Sequence, residues 1–172
     1  MHFVVNVIIP AEDFGRPVED VVKEYKETGE CPEDLYTKLI FALAPFDEGQ
    51  EVEQETEDCW ACDGDIQEGC DKCNGTGKIS HWVNPDAEWD WWDIGGRWGA
   101  EGEDIWIAGN SDVPSSSKKA PYSVLVSDRD WIDLVDSSLS RGERDKSKME
   151  TMWHEIAEEH KGDIVIRVDC HI

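Results

Sequence analysis

Basic residues are scarce in this chain of 172 residues: sixteen Lys and Arg face forty Asp and Glu, a formal net charge of -24 at pH 7. Lys and Arg nowhere gather into a patch, so nothing local reverses a field that repels phosphate backbones and anionic membrane surfaces. Direct nucleic-acid binding and membrane association are therefore set aside. The apolar run Met1 to Pro10 is too short to cross a bilayer. It also has neither the basic flank nor the small-residue cleavage site of a secretory signal. The expectation is a soluble, cytoplasmic protein.

Catalytic signatures are missing as well. There is no phosphate loop, no GxGxxG fingerprint and no GxSxG elbow. His154-Glu155 opens like a zinc-protease helix, yet residue 158 is Glu, and His160 falls about 240° round a helix from His154. His81 and His171 stand alone in the sequence and read as ordinary surface or core residues. Acidic residues are too numerous for any pair to be singled out as a general acid and base. The sequence offers no positive sign of an enzyme.

Against these absences stands one dense cluster, Cys59, Cys62, Cys70 and Cys73, in the pattern CxxC-x7-CxxC. Two residues between paired cysteines let the chain turn back and bring both thiolates within about 2.3 Å of one ion. Glycines at 64, 75 and 77 sit where such turns need positive φ or a close approach to sulfur. The spacing predicts a structural Zn2+ site, closed because four thiolates leave no position for water or substrate. Two disulfides, free thiols or an iron–sulfur cluster are the alternatives. Cys31 and Cys170 lie far off, and all six cysteines suit a reducing compartment.

Hydrophobic periodicity organises the rest. His2 to Ile9 reads as a central strand buried on both faces. Val18, Val21, Val22 and Tyr25 mark a helix between Pro17 and Gly29, and Leu35, Leu39, Ile40 and Leu43 mark a second between Pro32 and Pro45. Lys78 to Val83 is the return arm of the zinc hairpin, and Ile105 to Ala108 a short strand. Residues 109–120 read as a loop, Tyr122 to Ser127 as a strand, 127–130 as a turn, and Trp131 to Val135 as a hairpin arm or helical turn. Ser147 with Glu150 forms a capping box ahead of the apolar face Met149, Met152, Trp153, Ile156 and Ala157, with Gly162 as the stop. Ile164, Ile166, Val168 and Cys170 alternate in a last strand.

This pattern predicts a single α+β domain over 1–172. A ferredoxin-like antiparallel sheet with two or three helices carries an inserted zinc-binding hairpin at 51–83 and a Trp-rich segment at 84–108.

Two features flank the cysteines. In EVEQETE a strand would set Glu51, Glu53, Glu55 and Glu57 on one side at about 6.7 Å intervals. Such a ladder is either a solvated edge that blocks unwanted pairing or an acidic partner face imitating the spaced phosphates of DNA. Five of the nine tryptophans fall between Trp82 and Trp98. They pack as a satellite core beneath the zinc loop, or Trp89, Trp91, Trp92 and Trp98, with Asp93, Gly95, Gly96 and Arg97, line a binding site. In that site Arg97 would stack on an indole and fork toward an anion.

CDKCNGTGK resembles the CxxCxGxG repeats in the cysteine-rich zinc region of J-domain co-chaperones. Only two repeats occur, and the first departs as CWACDGD, so the resemblance supports zinc and implies no chaperone activity. NPDAEWDWWDIGGRW together with the ending VDCHI resembles a group of uncharacterised proteins encoded by bacteriophages and their hosts. That resemblance implies a setting in a host cytoplasm and no mechanism. The expected function is a non-enzymatic, zinc-stabilised acidic protein that binds and inhibits a basic host protein, a DNA mimic in host takeover or anti-defence. The alternative is a nucleotide-like small-ligand binder, or an enzyme, using the IGGRW segment as its pocket.

Overall fold

The computed structural model of the chain describes residues 1–65, 69–100, 102–110, 119–126, 130–135 and 145–172. Most of the loop expected at 109–120 and of the turn expected at 127–130 lies outside them. The described chain forms two compact units, Met1–Pro45 with Trp89–Ile172, and Phe46–Glu88.

The first unit is built on a six-stranded sheet. In chain order its elements are β1 (His2–Ile9), α1 (Val18–Thr28) and α2 (Glu33–Leu43), then, beyond the second unit, β4 (Trp91–Ile94), β5 (Ile105–Ile107), β6 (Ser123–Val126), β7 (Asp130–Asp133), α3 (Lys146–Glu159) and β8 (Ile164–His171). The strands run in the order β4-β8-β1-β6-β7, with β5 also on β8. β1 and β8 are central and buried on both faces: Val5, Val7, Ile8, Ile164, Val165, Ile166 and Val168 are fully buried. Ile8, Val165, Val124 and Trp106 share a cluster with Trp153 of α3, to which Met149, Met152, Ile156 and Ala157 add partly buried surface. Val5 and Val7 point to the opposite face, and α2 packs against β1.

The sheet is mostly antiparallel, and the ferredoxin-like order is not reproduced. That order splits a βαβ unit by placing an antiparallel strand beside β1. Here β6 lies directly beside β1 and runs parallel to it, Val5 opposite Ser123 and Ile8 opposite Val126. β7 pairs outward on β6. Side-chain chemistry explains the choice. SVLV is buried almost throughout and belongs inside the sheet, whereas DWID exposes an aspartate at each end and belongs at an edge.

Two smaller expectations also shift. Asp145, not Ser147, caps α3, accepting the Lys148 N–H at 3.1 Å. Ile40 is exposed, and Ala42 is buried on α2 in its place.

The second unit holds the antiparallel ribbon β2 (Glu53–Asp58) and β3 (Lys78–Val83), paired from Glu53 opposite Val83 to Asp58 opposite Lys78. Every residue of β2 is exposed. An isolated two-stranded ribbon is at best marginally stable in water, so something else must hold its end.

Candidate functional site

The ribbon's far end closes on the cysteines. Cys59 directly follows β2, and its N–H donates to the Gly77 carbonyl, 2.9 Å away, just before β3 begins. Each CxxC pair is followed by two residues in the left-handed region: Asp63 and Gly64 at φ 50° and 80°, Asn74 and Gly75 at 52° and 78°. Asn and Asp tolerate this conformation better than other residues with a Cβ, and Gly adopts it at no steric cost. The two knuckles are therefore near copies in backbone, although their sequences, CWACDG and CDKCNG, share little beyond Cys, Gly and this turn chemistry.

The four sulfurs converge. Cys59 Sγ lies 3.8 Å from Cys70 Sγ, Cys62 Sγ lies 3.8 Å from Cys73 Sγ, and all four ligand atoms fall within 4.8 Å of one another. A tetrahedral ion with metal–sulfur bonds near 2.3 Å has an edge of about 3.8 Å, so the enclosure is the size of one ion. No disulfide joins the six cysteines in the structure. Burial, reinforced by hydrogen bonding with Cys59 and Cys73, pushes the Cys62 thiol up to about 12. Cys73, despite its burial, is drawn down to about 6 by the Gly77 N–H, 3.3 Å from its sulfur, and by the neighbouring thiols. Binding of a cation here would release the thiol protons, since the thiolate is the ligating form. Ile79 packs against the cluster.

Glu53, Glu55 and Glu57 alternate along one side of β2 with exposed side chains, while Glu51, also exposed, precedes the strand. His81 stands opposite Glu55 with Nε2 4.0 Å from its carboxylate, and Lys78 pairs with Asp58 at the cysteine end. Glu53 and Glu57 form no ion pair among the described residues. Trp82, opposite Gln54, is more than half exposed.

From Trp89 onward the tryptophan segment belongs to the first unit, while Trp82 belongs to the second with the cysteines. β4 is an edge strand on β8, with Trp91 opposite His171 and Asp93 opposite Asp169. Strand alternation sends Trp91 and Asp93 to one face and Trp92 to the other. Trp92 meets Tyr36 and Trp89, and the buried Trp89 donates its indole N–H to the Leu43 carbonyl at 3.1 Å. The eight residues read as one site are thus divided between two faces.

Gly95 and Gly96 serve a close approach of the chain to itself. The backbone leaves the β8 ladder where the Gly95 N–H donates to the Arg167 carbonyl and returns where the Arg167 N–H donates to the Asp104 carbonyl. Between these points it folds over two carboxylates. A Cβ on Gly95 would lie 2.5 Å from Asp104 Oδ2, and one on Gly96 2.4 Å from Asp169 Cβ. The Arg97 N–H donates to Asp169 Oδ2 at 3.0 Å, while its side chain is exposed and makes no ion pair among the described residues. Trp98 is also exposed.

Sequence reasoning missed the polar face beneath this loop. Asn6, Asp104, Arg167 and Asp169 are all buried. Burial raises Asp104 above the usual carboxylate range against the pull of the Ala100 N–H and Arg167, and burial lowers Arg167. His2 and His171 lie at the open end of the same face. The signal is in the sequence: with Ile164, Ile166, Val168 and Cys170 on one face of β8, Arg167, Asp169 and His171 must share the other.

Compared with protein-family models, curated proteins and solved structures, the chain finds no match.

Proposed function

We propose that the second unit is a zinc-stabilised docking ribbon with which this acidic protein binds and occludes a basic surface on a host protein, a surface of the kind that otherwise holds nucleic acid. Four thiolates are soft donors, and a closed tetrahedral S4 set favours Zn2+ in a structural role. The observation that carries the reading is the β2 strand, exposed at every residue, whose glutamates recur along one side. It leaves Glu53, Glu55 and Glu57 in water at the spacing of a strand, next in sequence to the cysteine knuckle. The charge of -24 adds long-range attraction, which raises the rate of encounter with a cationic partner and disfavours acidic ones.

The small-ligand reading draws less support, because the tryptophans and Arg97 do not converge on one space. The test is affinity capture from host lysate at low salt, comparing the native chain with a variant carrying Glu53→Lys, Glu55→Lys and Glu57→Lys. The native chain is expected to retain a basic nucleic-acid-binding protein that the variant releases. Equal recovery by both chains would refute the ribbon as the docking element.

A further inference from the structure

Two histidines at opposite ends of the sequence meet at one end of the sheet. The antiparallel register sets His2 of β1 against His171 of β8, and His171 in turn against Trp91 of β4. The imidazole centroids are 4.9 Å apart with planes inclined at 67°, and Trp91 lies edge-on to His2 at 5.9 Å.

Each imidazole is anchored at Nδ1 by a carboxylate. His2 Nδ1 lies 3.1 Å from Asp169 Oδ1, and His171 Nδ1 lies 2.7 Å from Asp90 Oδ1. The Asp169 carboxylate is itself fixed, and the backbone of Asp90 is tied to that of His171. Asp169 is buried and its second oxygen accepts the Arg97 N–H, while the Asp90 N–H donates to the His171 carbonyl at 2.9 Å. With Nδ1–H donated to a carboxylate, a neutral imidazole carries its lone pair on Nε2. The arrangement thus leaves two Nε2 lone pairs on adjoining rings, each ring set in orientation by its other nitrogen.

Histidines that bind metals are held in this way, the carboxylate fixing the tautomer and raising the basicity of the ligating nitrogen. The dimensions agree. Two imidazoles sharing one tetrahedral ion at about 2.0 Å have ring centres roughly 5 Å apart. His2 and His171 are only partly exposed or near the edge, with 21% and 39% of their side-chain surface accessible, so a cation can reach them without unfolding the sheet. We propose that His2 and His171 form a binding site for a divalent transition-metal ion, separate from the cysteine cluster, with the remaining positions of the ion left to water or an external ligand. The IGGRW segment thereby acquires a role, since Gly96 lets the chain approach Asp169 and the Arg97 N–H orients that carboxylate toward His2.

The test uses the full chain with zinc on its cysteines, in excess Mg2+ to occupy surface carboxylates. Oxygen donors suit Mg2+, whereas imidazole suits Ni2+ and Cu2+. Calorimetric titration with Ni2+ is expected to show one equivalent bound, without thiolate-to-nickel absorption. Trace Cu2+ should broaden the ring-proton resonances of His2 and His171 before those of His81, His154 and His160. His171→Ala should weaken Ni2+ binding at least tenfold, and Asp169→Asn by about 10–100-fold, the usual loss when such a carboxylate is removed. A free amino terminus next to His2 can chelate by itself, so an N-terminally extended chain is titrated in parallel and is expected to bind equally. The proposal is overturned if no Ni2+ equivalent binds under excess Mg2+, or if His171→Ala binds as tightly as the native chain. Loss of binding on extension alone would also overturn it. Should Asp169→Asn fail to fold, His171→Ala and the Cu2+ broadening still decide.

Discussion

Gly96 concentrates in one residue the constraint that shapes the tryptophan segment. At φ 43°, with Asp169 Cβ 2.4 Å from where its own Cβ would be, any side chain meets both backbone strain and a rigid neighbour. Gly96→Ala is expected to destabilise the first unit by about 2 kcal/mol, since strained backbone positions typically cost 1–3 kcal/mol and the contact cannot be relieved by rotating a flexible side-chain end. Gly15→Ala, where nothing lies within 4 Å and φ is ordinary, is expected to stay within roughly 0.5 kcal/mol. Urea midpoints of the two variants at matched metal content check the pair, and equal shifts would show that the loop yields. From sequence the glycine pair announced a close approach, but its target was illegible. Asp169 and Gly96 are far apart along the chain, and only the pairing of β4 on β8 brings them together.

At the level of elements, the ribbon and the sheet rest on different physics. β1 and β8 bury nearly everything they carry, whereas β2 buries nothing and depends on the closure of its end by the cysteines. Removing the metal with a chelator, or breaking the site with Cys73→Ser, is therefore expected to abolish amide protection in β2 and β3 and leave protection in β1 and β8 intact. Metal binding to such a site is itself folding free energy. Residue-resolved hydrogen exchange measures this, and simultaneous loss in both units would mean that they unfold as one. The same contrast explains what the sequence disclosed. α1, α2, the buried face of α3 and the central strands follow from local apolar periodicity, and the four cysteines from spacing. Strand order did not follow, because the choice of β6 over β7 as the neighbour of β1 is made by burial across the sheet. Nor did the polar face of β8, where a period-two pattern hides aspartate and arginine among apolar neighbours. The shift of the α3 cap from Ser147 to Asp145 is a local competition: both residues can accept a backbone N–H, and two more helical residues form when the earlier one does.

Over the whole molecule, net charge and the geometry of one face make separable contributions to binding. The field of a chain at -24 attracts any cationic partner over a distance set by the Debye length, about 10 Å at 0.1 M salt and 3 Å at 1 M. Encounter rates should therefore fall steeply with salt for the native chain. A variant reversing an equal number of charges on α1, for instance Glu19→Lys, Asp20→Lys and Glu27→Lys, has the same net charge as the Glu53, Glu55 and Glu57 reversal. If net charge alone governs the interaction, the two variants slow association equally and dissociate alike. If the ribbon is the contact, both slow association, but only the ribbon variant dissociates faster, by tenfold or more, because groups in the interface act on the off-rate while remote charges act on the on-rate. Stopped-flow association and dissociation rates with a captured partner at several salt concentrations separate these outcomes. Matched dissociation rates would assign the acidic surface to solubility and steering and leave the glutamate ladder without a docking role.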